Sequence, residues 1–227
     1  MNFNVKFKEE TPPFNVKFGW NNGEFEAGKQ SGPTRYCETL SNVFYGAIFP
    51  EGYGFELRVE KVVPLYMAFR GAKNLKTLKI VANDIVGDEK CDFGYFSMSC
   101  TDLETIDLAQ YGTRPSLLSY AFFNNIKLKN ILGVFDCTDC SSFSNTFLYC
   151  ACLEEIRFVE NTIKEVISFE SCKKLTKASI TSVINGLSDT VTGKTATFSQ
   201  VAKEAAFAAE EWAELIGTKP NWTIALA

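Results

Sequence analysis

The chain predicts an α/β repeat, in which short parallel strands stack on one another between a β-hairpin at the start and an α+β cap at the end. Three observations predict it. A phenylalanine, then a small residue or cysteine, then a leucine with an aliphatic residue at +3 return along the chain at a nearly constant spacing. Phenylalanine occurs 20 times in 227 residues, an excess that a residue used once or more per repeat explains. Residues 176–227 then change to alanine-rich, amphipathic and turn-forming patterns, as a closing unit would.

In chain order, Phe3-Asn4-Val5-Lys6-Phe7 and Phe14-Asn15-Val16-Lys17-Phe18 alternate apolar and polar residues, the period of a half-buried strand. Pro12-Pro13 between them is a turn, so residues 1–34 read as a β-hairpin followed by a Gly/Asn-rich linker. Residues 35–63 show no repeat and are assigned to the N-terminal closure. The repeat array spans 64–175. It reads Phe69…Ala72-x-x-Leu75-x-x-Leu78-x-Ile80, Phe96…Cys100-x-x-Leu103-x-x-Ile106-x-Leu108, Phe122…Asn125-x-x-Leu128-x-x-Ile131, Phe147…Cys150-x-x-Leu153-x-x-Ile156-x-Phe158 and Phe169…Cys172-x-x-Leu175. A shorter copy, Cys140-x-x-Phe143-x-x-x-Phe147, lies between the third and fourth.

The leading leucines stand at 75, 103, 128, 153 and 175. This spacing falls in the range of leucine-rich repeats, so the array reads as an irregular leucine-rich-repeat solenoid. Leu-x-x-Leu-x-Leu turns its apolar residues inward on a short strand, the cysteine or asparagine is buried at the bend before it, and the phenylalanines form a spine. The array needs closed ends. At the C-terminal end, residues 176–186 read as a helix capped by a threonine or serine and stopped by Gly186. Thr195-Ala-Thr-Phe-Ser199 reads as a strand, 201–216 as one amphipathic helix, and Trp222–Leu226 as a closing strand.

Composition excludes several functions. The net charge is −4 with scattered Lys and Arg, unlike a phosphate-binding surface, so nucleic acid is not an expected partner. No apolar run approaches membrane-spanning length, and no membrane association is expected. Histidine is absent, which removes the commonest general base and metal ligand and every Ser-His or Cys-His pair. Residues 1–6 lack the features of a secretory signal, so folding in a reducing cytoplasm is expected.

The Phe-x-x-Cys-x-x-Leu-x-x-Ile-x-Leu register resembles the BspA-like class of leucine-rich repeats. Residues 135–147, with Asp136, Cys140, Phe143 and Phe147, resemble one coil of that class. The tail, with Leu175, Ser179-Ile180, Ile184-Asn185, Leu187, Glu211-Trp212 and Lys219-Pro220-Asn221-Trp222-Thr223-Ile224, is similar to the C-terminal cap of repeat proteins encoded in prophages of gut bacteria. The paired Phe-x-Val-x-Phe strands resemble the start of phage virion proteins. The resemblance implies a phage or prophage structural or adhesion protein, made in the bacterial cytoplasm and incorporated in a particle.

Among residues that could carry chemistry, Cys137-x-x-Cys140 and Cys150-x-Cys152 have the spacing of a four-thiolate zinc site or a redox pair. The register instead puts Cys100, Cys140, Cys150 and Cys172 in one buried slot, leaving Cys137 and Cys152 as the thiols whose redox state matters. No metal or cofactor is expected. Glu154-Glu155 and Glu210-Glu211 are adjacent and do not converge, and Asp84, Asp88 and Glu89 lack the pattern of a calcium loop. The binding candidates are Tyr95, Tyr111, Arg114, Phe123 and Tyr149, aromatics and an arginine without an evident core slot. The expectation is a non-enzymatic virion-associated protein whose repeats bind a protein or glycan, with residues 1–18 contacting other virion proteins or further copies of the chain. The alternative is a free cytoplasmic interaction protein, for example an inhibitor of a host defence factor.

Overall fold

A computed structural model describes residues 39–84 and 90–227. The hairpin and linker expected over 1–34, and the positions Asp88 and Glu89, lie outside the described residues. The fold is α/β and its largest element is a five-stranded parallel sheet. Its strands are β1 (Ile48–Lys61), β2 (Lys73–Asp84), β4 (Thr105–Gln110), β6 (Asn130–Phe135) and β7 (Glu155–Phe158), adjacent in that order. A two-stranded parallel sheet joins β3 (Cys91–Asp92) to β5 (Pro115–Leu117).

Strand alternation places the apolar positions as expected. Leu78 pairs with Ile106 and Ile106 with Ile131, and all three are buried with Leu75, Leu103, Leu128, Leu153 and Ile156. Because side chains alternate along a strand, Thr105, Asp107, Asn130 and Arg157 occupy the opposite face.

The bends before the strands repeat one backbone pattern five times. In residues 65–72, Ala68 N–H donates to Leu65 C=O and Ala72 N–H to Phe69 C=O, closing two consecutive turns. The same pair recurs in 40–47, 93–100, 118–125 and 143–150. Neighbouring bends are bonded to each other as strands are: Leu65, Met67, Phe69 and Gly71 donate to the carbonyls of Asp92, Gly94, Phe96 and Met98 at 2.7–2.9 Å. Both faces of the stack are therefore pinned by main-chain ladders, which satisfies backbone groups that a bend would otherwise leave unpaired.

Residues 40–47, inside the span expected to form the N-terminal closure, belong to this series. Leu40, Asn42, Phe44 and Gly46 donate to Pro64, Tyr66, Ala68 and Arg70 as the later bends do. The repeat is hidden in the sequence by a bulge. β1 takes five steps from Ile48 to Tyr53 where β2 takes two from Lys73 to Leu75, and this displaces every later apolar position of the first copy.

The phenylalanines form the expected spine. Rings follow one another from Phe44 through Phe69, Phe96, Phe122, Phe147, Phe169 and Phe198 to Trp212, with centroids 4.4–6.3 Å apart. The slot three residues before each leading leucine is buried, and its polar occupants bond across repeats. Cys100 Sγ donates to Phe69 C=O and Cys150 Sγ to Phe122 C=O, both at 2.9 Å, while Asn125 accepts from Cys100 N–H and donates to Ser97 Oγ.

The C-terminal unit adds a second parallel sheet, β8 (Ile167–Phe169), β9 (Lys194–Phe198) and β10 (Trp222–Leu226), with β9 in the centre. Helix α1 (Lys177–Gly186) starts at Thr176, whose side chain accepts from Ser179 N–H. It seals the open edge of β7: Ser179 Oγ accepts from Ile156 N–H at 3.1 Å and Ser182 Oγ from Phe158 N–H at 2.9 Å. Gly186 serves packing and not chain reversal, since a Cβ there would lie 3.0 Å from both Phe158 Cβ and Ile163 Cδ1.

The single helix expected over 201–216 is two helices, α2 (Gln200–Ala206) and α3 (Ala209–Gly217). Phe207 breaks it with an extended backbone and packs on Trp212 at 5.5 Å. Residues five apart on one helix point in different directions, so the break is what brings both rings into the core.

Candidate functional site

Each bend contains two residues with left-handed backbone, four positions apart. They are Asn42 and Gly46, Met67 and Gly71, Tyr95 and Ser99, Tyr120 and Asn124, and Asn145 and Tyr149, all with φ between 52° and 69°. This region suits Gly and Asn and crowds the Cβ of other residues by roughly 1–2 kcal/mol each. In the first four bends the inter-bend ladder holds the backbone there whatever the side chain, because the N–H of each such residue donates to the next bend, as Tyr95 does to Ser119 and Tyr120 to Ser144.

The side chains carried on these bends form a continuous ribbon. Tyr66 meets Tyr95 edge-on at 5.9 Å, and Tyr95 and Tyr120 stack in parallel at 5.0 Å and 3°. Phe123 lies 5.5 Å from Tyr120 on one side and 5.5 Å from Tyr149 on the other. At the first end the Arg70 guanidinium sits 5.5 Å from the ring centroids of both Tyr45 and Tyr95. The ribbon opens to solvent most at its two ends, where Tyr45 is 42 % and Tyr149 is 54 % exposed.

Three of the five residues expected to bind, Tyr95, Phe123 and Tyr149, are thus brought together. Tyr111 is a correction: it is fully buried and cannot meet a partner. Its hydroxyl accepts from Val63 N–H at 3.0 Å and donates to Val63 C=O, so an aromatic outside the register turned out to fill the core and tie down the chain between β1 and β2. Arg114 is held by Asp139 through Nε at 3.1 Å and Nη2 at 2.8 Å, with Lys90 Nζ on the same carboxylate, and this places it in a structural ion pair.

Sequence reasoning missed Tyr45, Tyr66, Arg70 and Tyr120. A signal was present. The hexapeptides 41–46, 66–71, 94–99, 119–124 and 144–149 contain a single charged residue, Arg70, whereas 22 % of the whole chain is charged. Solvent-facing bends normally carry charge, so its depletion marks the segment.

The cysteines sit elsewhere. Burial pushes the thiols of Cys91, Cys100 and Cys150 up to about 12, and that of Cys172 well above its ordinary value. Cys137 and Cys140 close a turn through Cys140 N–H to Cys137 C=O. Burial raises Cys137, while a hydrogen bond from its thiol lowers Cys140. Cys152 is half-buried. Among the described residues no group of three or more His, Cys, Asp or Glu side chains is placed to hold a metal ion, and no helix among them is long and apolar enough to cross a membrane.

Of the acidic residues singled out, Asp84 ends β2 exposed, Glu154 and Glu155 flank the start of β7, and Glu210 and Glu211 lie in the first turn of α3, where Glu211 pairs with Lys177. Beside the strands runs a charged seam, in which Glu104 bonds Lys129 at 3.0 Å and Lys76 at 3.6 Å, and Asp102 bonds Lys127 at 2.9 Å. Hydrogen bonds from these lysines hold Glu104 and Asp102 below the usual carboxylate range.

Comparison of the chain with known protein families, curated proteins and solved structures found no match.

Proposed function

We propose that this chain is an irregular leucine-rich-repeat solenoid of the BspA-like kind, acting as a non-enzymatic binding protein of a phage or prophage particle. The observation that carries the binding role is the ribbon from Tyr45 and Arg70 to Tyr149. It keeps large side chains in left-handed positions that Gly or Asn would occupy without strain. Tyrosine stacking returns only about 0.5–1.5 kcal/mol per pair, close to the strain it incurs, so stability alone gives little reason to keep the rings. Aromatic residues and arginine at low charge density are what interface cores are made of.

The particle setting rests on the resemblance of the tail to prophage repeat caps and of residues 3–18 to virion proteins. In this role residues 1–18 contact other virion proteins and the repeats engage a protein or glycan on the host. Mass spectrometry of purified particles tests the setting, and the chain is expected in them at structural stoichiometry. Its absence from particles, together with recovery in a soluble complex with a host protein, would transfer it to the class of free cytoplasmic interaction proteins.

A further inference from the structure

We infer that the ribbon takes an extended, otherwise uncharged stretch of polypeptide that brings one carboxylate to Arg70. This rests on the binding role proposed above and narrows its ligand from protein or glycan to polypeptide.

Arg70 supplies the first argument. Its guanidinium lies between the rings of Tyr45 and Tyr95, with Nη1 3.7 Å from Met67 Sδ, and among the described residues no carboxylate comes within ion-pair distance of it. By contrast Arg58 and Arg114 are both paired with acids. A planar cation flanked by aromatic rings, on bends that carry no other charged residue, presents its donors in a fork that fits a carboxylate.

Ring geometry supplies the second. Sugars are gripped by aromatic faces left open as platforms. Here Tyr95 and Tyr120 are parallel at 5.0 Å and cover each other's faces. Phe123 stands 56° from Tyr120 and 73° from Tyr149, closing the gaps between repeats. Beside the rings the bends carry the small polar side chains Asn42, Ser99, Asn124 and Asn145. That mixture of tyrosine with Ser and Asn is the composition of antibody paratopes.

Length supplies the third. The bends are joined by strand-like ladders, so neighbouring copies lie about 4.8 Å apart and five copies span about 19 Å, the reach of roughly six extended residues. Arg70 belongs to the second copy and Tyr149 to the fifth. An acidic residue placed on Arg70 therefore puts an apolar residue over Phe123 and Tyr149 about three to four positions away.

The test is selection of short random peptides by the full-length chain, followed by affinity measurement on the enriched sequences. Enriched peptides are expected to share an acidic residue followed or preceded at that distance by an apolar one. Arg70→Gln and Tyr149→Asn should each weaken them about tenfold or more with an unchanged melting midpoint, whereas Leu132→Glu, on the exposed part of β6, should bind as the unaltered chain does. Enriched peptides that lack the acid or ignore Arg70→Gln would overturn the inference. So would a glycan-array ligand lost on Arg70→Gln, or a homodimer in sedimentation that Arg70→Gln dissolves. Ligands lost only on Leu132→Glu would move binding to the strand face, overturning this inference while the binding role stands. No ligand of either class would remove both.

Discussion

Tyr95, Tyr120 and Tyr149 hold φ values of 56°, 58° and 65°, where a side chain is crowded and only Gly or Asn sits easily. Tyr149 is the most exposed of the three, and Asn145 and Asn124 show that asparagine fits these bends. Tyr149→Asn is therefore expected to leave folding stability within about 1 kcal/mol of the unaltered chain while weakening ligand binding, a split measurable by chemical denaturation beside a binding titration. Tyr111 carries the opposite kind of role. Tyr111→Phe strips the partner from Val63 N–H inside the core and should cost about 1–3 kcal/mol in a urea melt. The thiols follow burial in the same way. Raised to about 12, Cys91, Cys100 and Cys150 remain protonated at pH 8. Of the described cysteines, half-buried Cys152 should be alkylated by iodoacetamide first. Labelling of Cys100 or Cys150 in the folded protein at a comparable rate would show that the repeat opens far more readily than its packing implies.

At the scale of elements, the decisive join is between β7 and α1. A parallel sheet that ended at β7 would present unpaired N–H groups to any other strand; Ser179 and Ser182 fill two of those positions with hydroxyls. Ser179 also donates to Glu154 C=O at 3.0 Å and is fully buried. Ser179→Ala is expected to cost about 1–3 kcal/mol. Glycines test the packing of the same helix. Gly186→Ala forces a methyl against Phe158 Cβ, which the strand backbone holds in place, and should destabilise by about 1–3 kcal/mol. Gly217→Ala is the control, because nothing lies within 4 Å of a Cβ there and the change should be neutral or stabilising by up to about 1 kcal/mol. Equal melting midpoints for the two alanine variants would contradict the close approach of α1 to β7.

For the molecule as a whole, cohesion runs along the stack. The aromatic spine from Phe44 to Trp212 and the two main-chain ladders link each bend and strand to its neighbours. Charges add to it along the same direction. Asp102, Glu104 and Asp139 each bond a lysine, which lowers all three carboxyls. A lowered folded-state value means their contribution is complete above the ordinary carboxylate range and disappears as pH falls through the lowered values. The melting midpoint should therefore be flat from neutral pH down to about pH 5 and fall below about pH 4. High salt should shrink that part of the drop which comes from these exposed pairs. A midpoint that rises on acidification would refute the role given to the seam.

The repeat register, the cysteine slot, the phenylalanine spine and the terminal strand were legible in the sequence, because each depends on a periodicity of side-chain type that burial imposes locally. The expectation of strands stacked in parallel holds for all five strands of the main sheet. What tertiary structure alone decided were the departures from that period. The bulge in β1 hides a copy of the bend at residues 40–47. Burial of Phe207 against Trp212 splits a helix that its alanine content favours. Tyr111, which no register assigns, is drawn inward to bond Val63. The ribbon shows the same division. Its residue types and missing charge stand in the sequence, but their alignment follows from hydrogen bonds between bends 25 or 28 residues apart, as from Asn42 N–H to Tyr66 C=O and from Met67 N–H to Gly94 C=O. Side-chain pattern is a local property and can be read along the chain. Which side chains share a surface is set by the register between distant segments, and that exists only once they are packed.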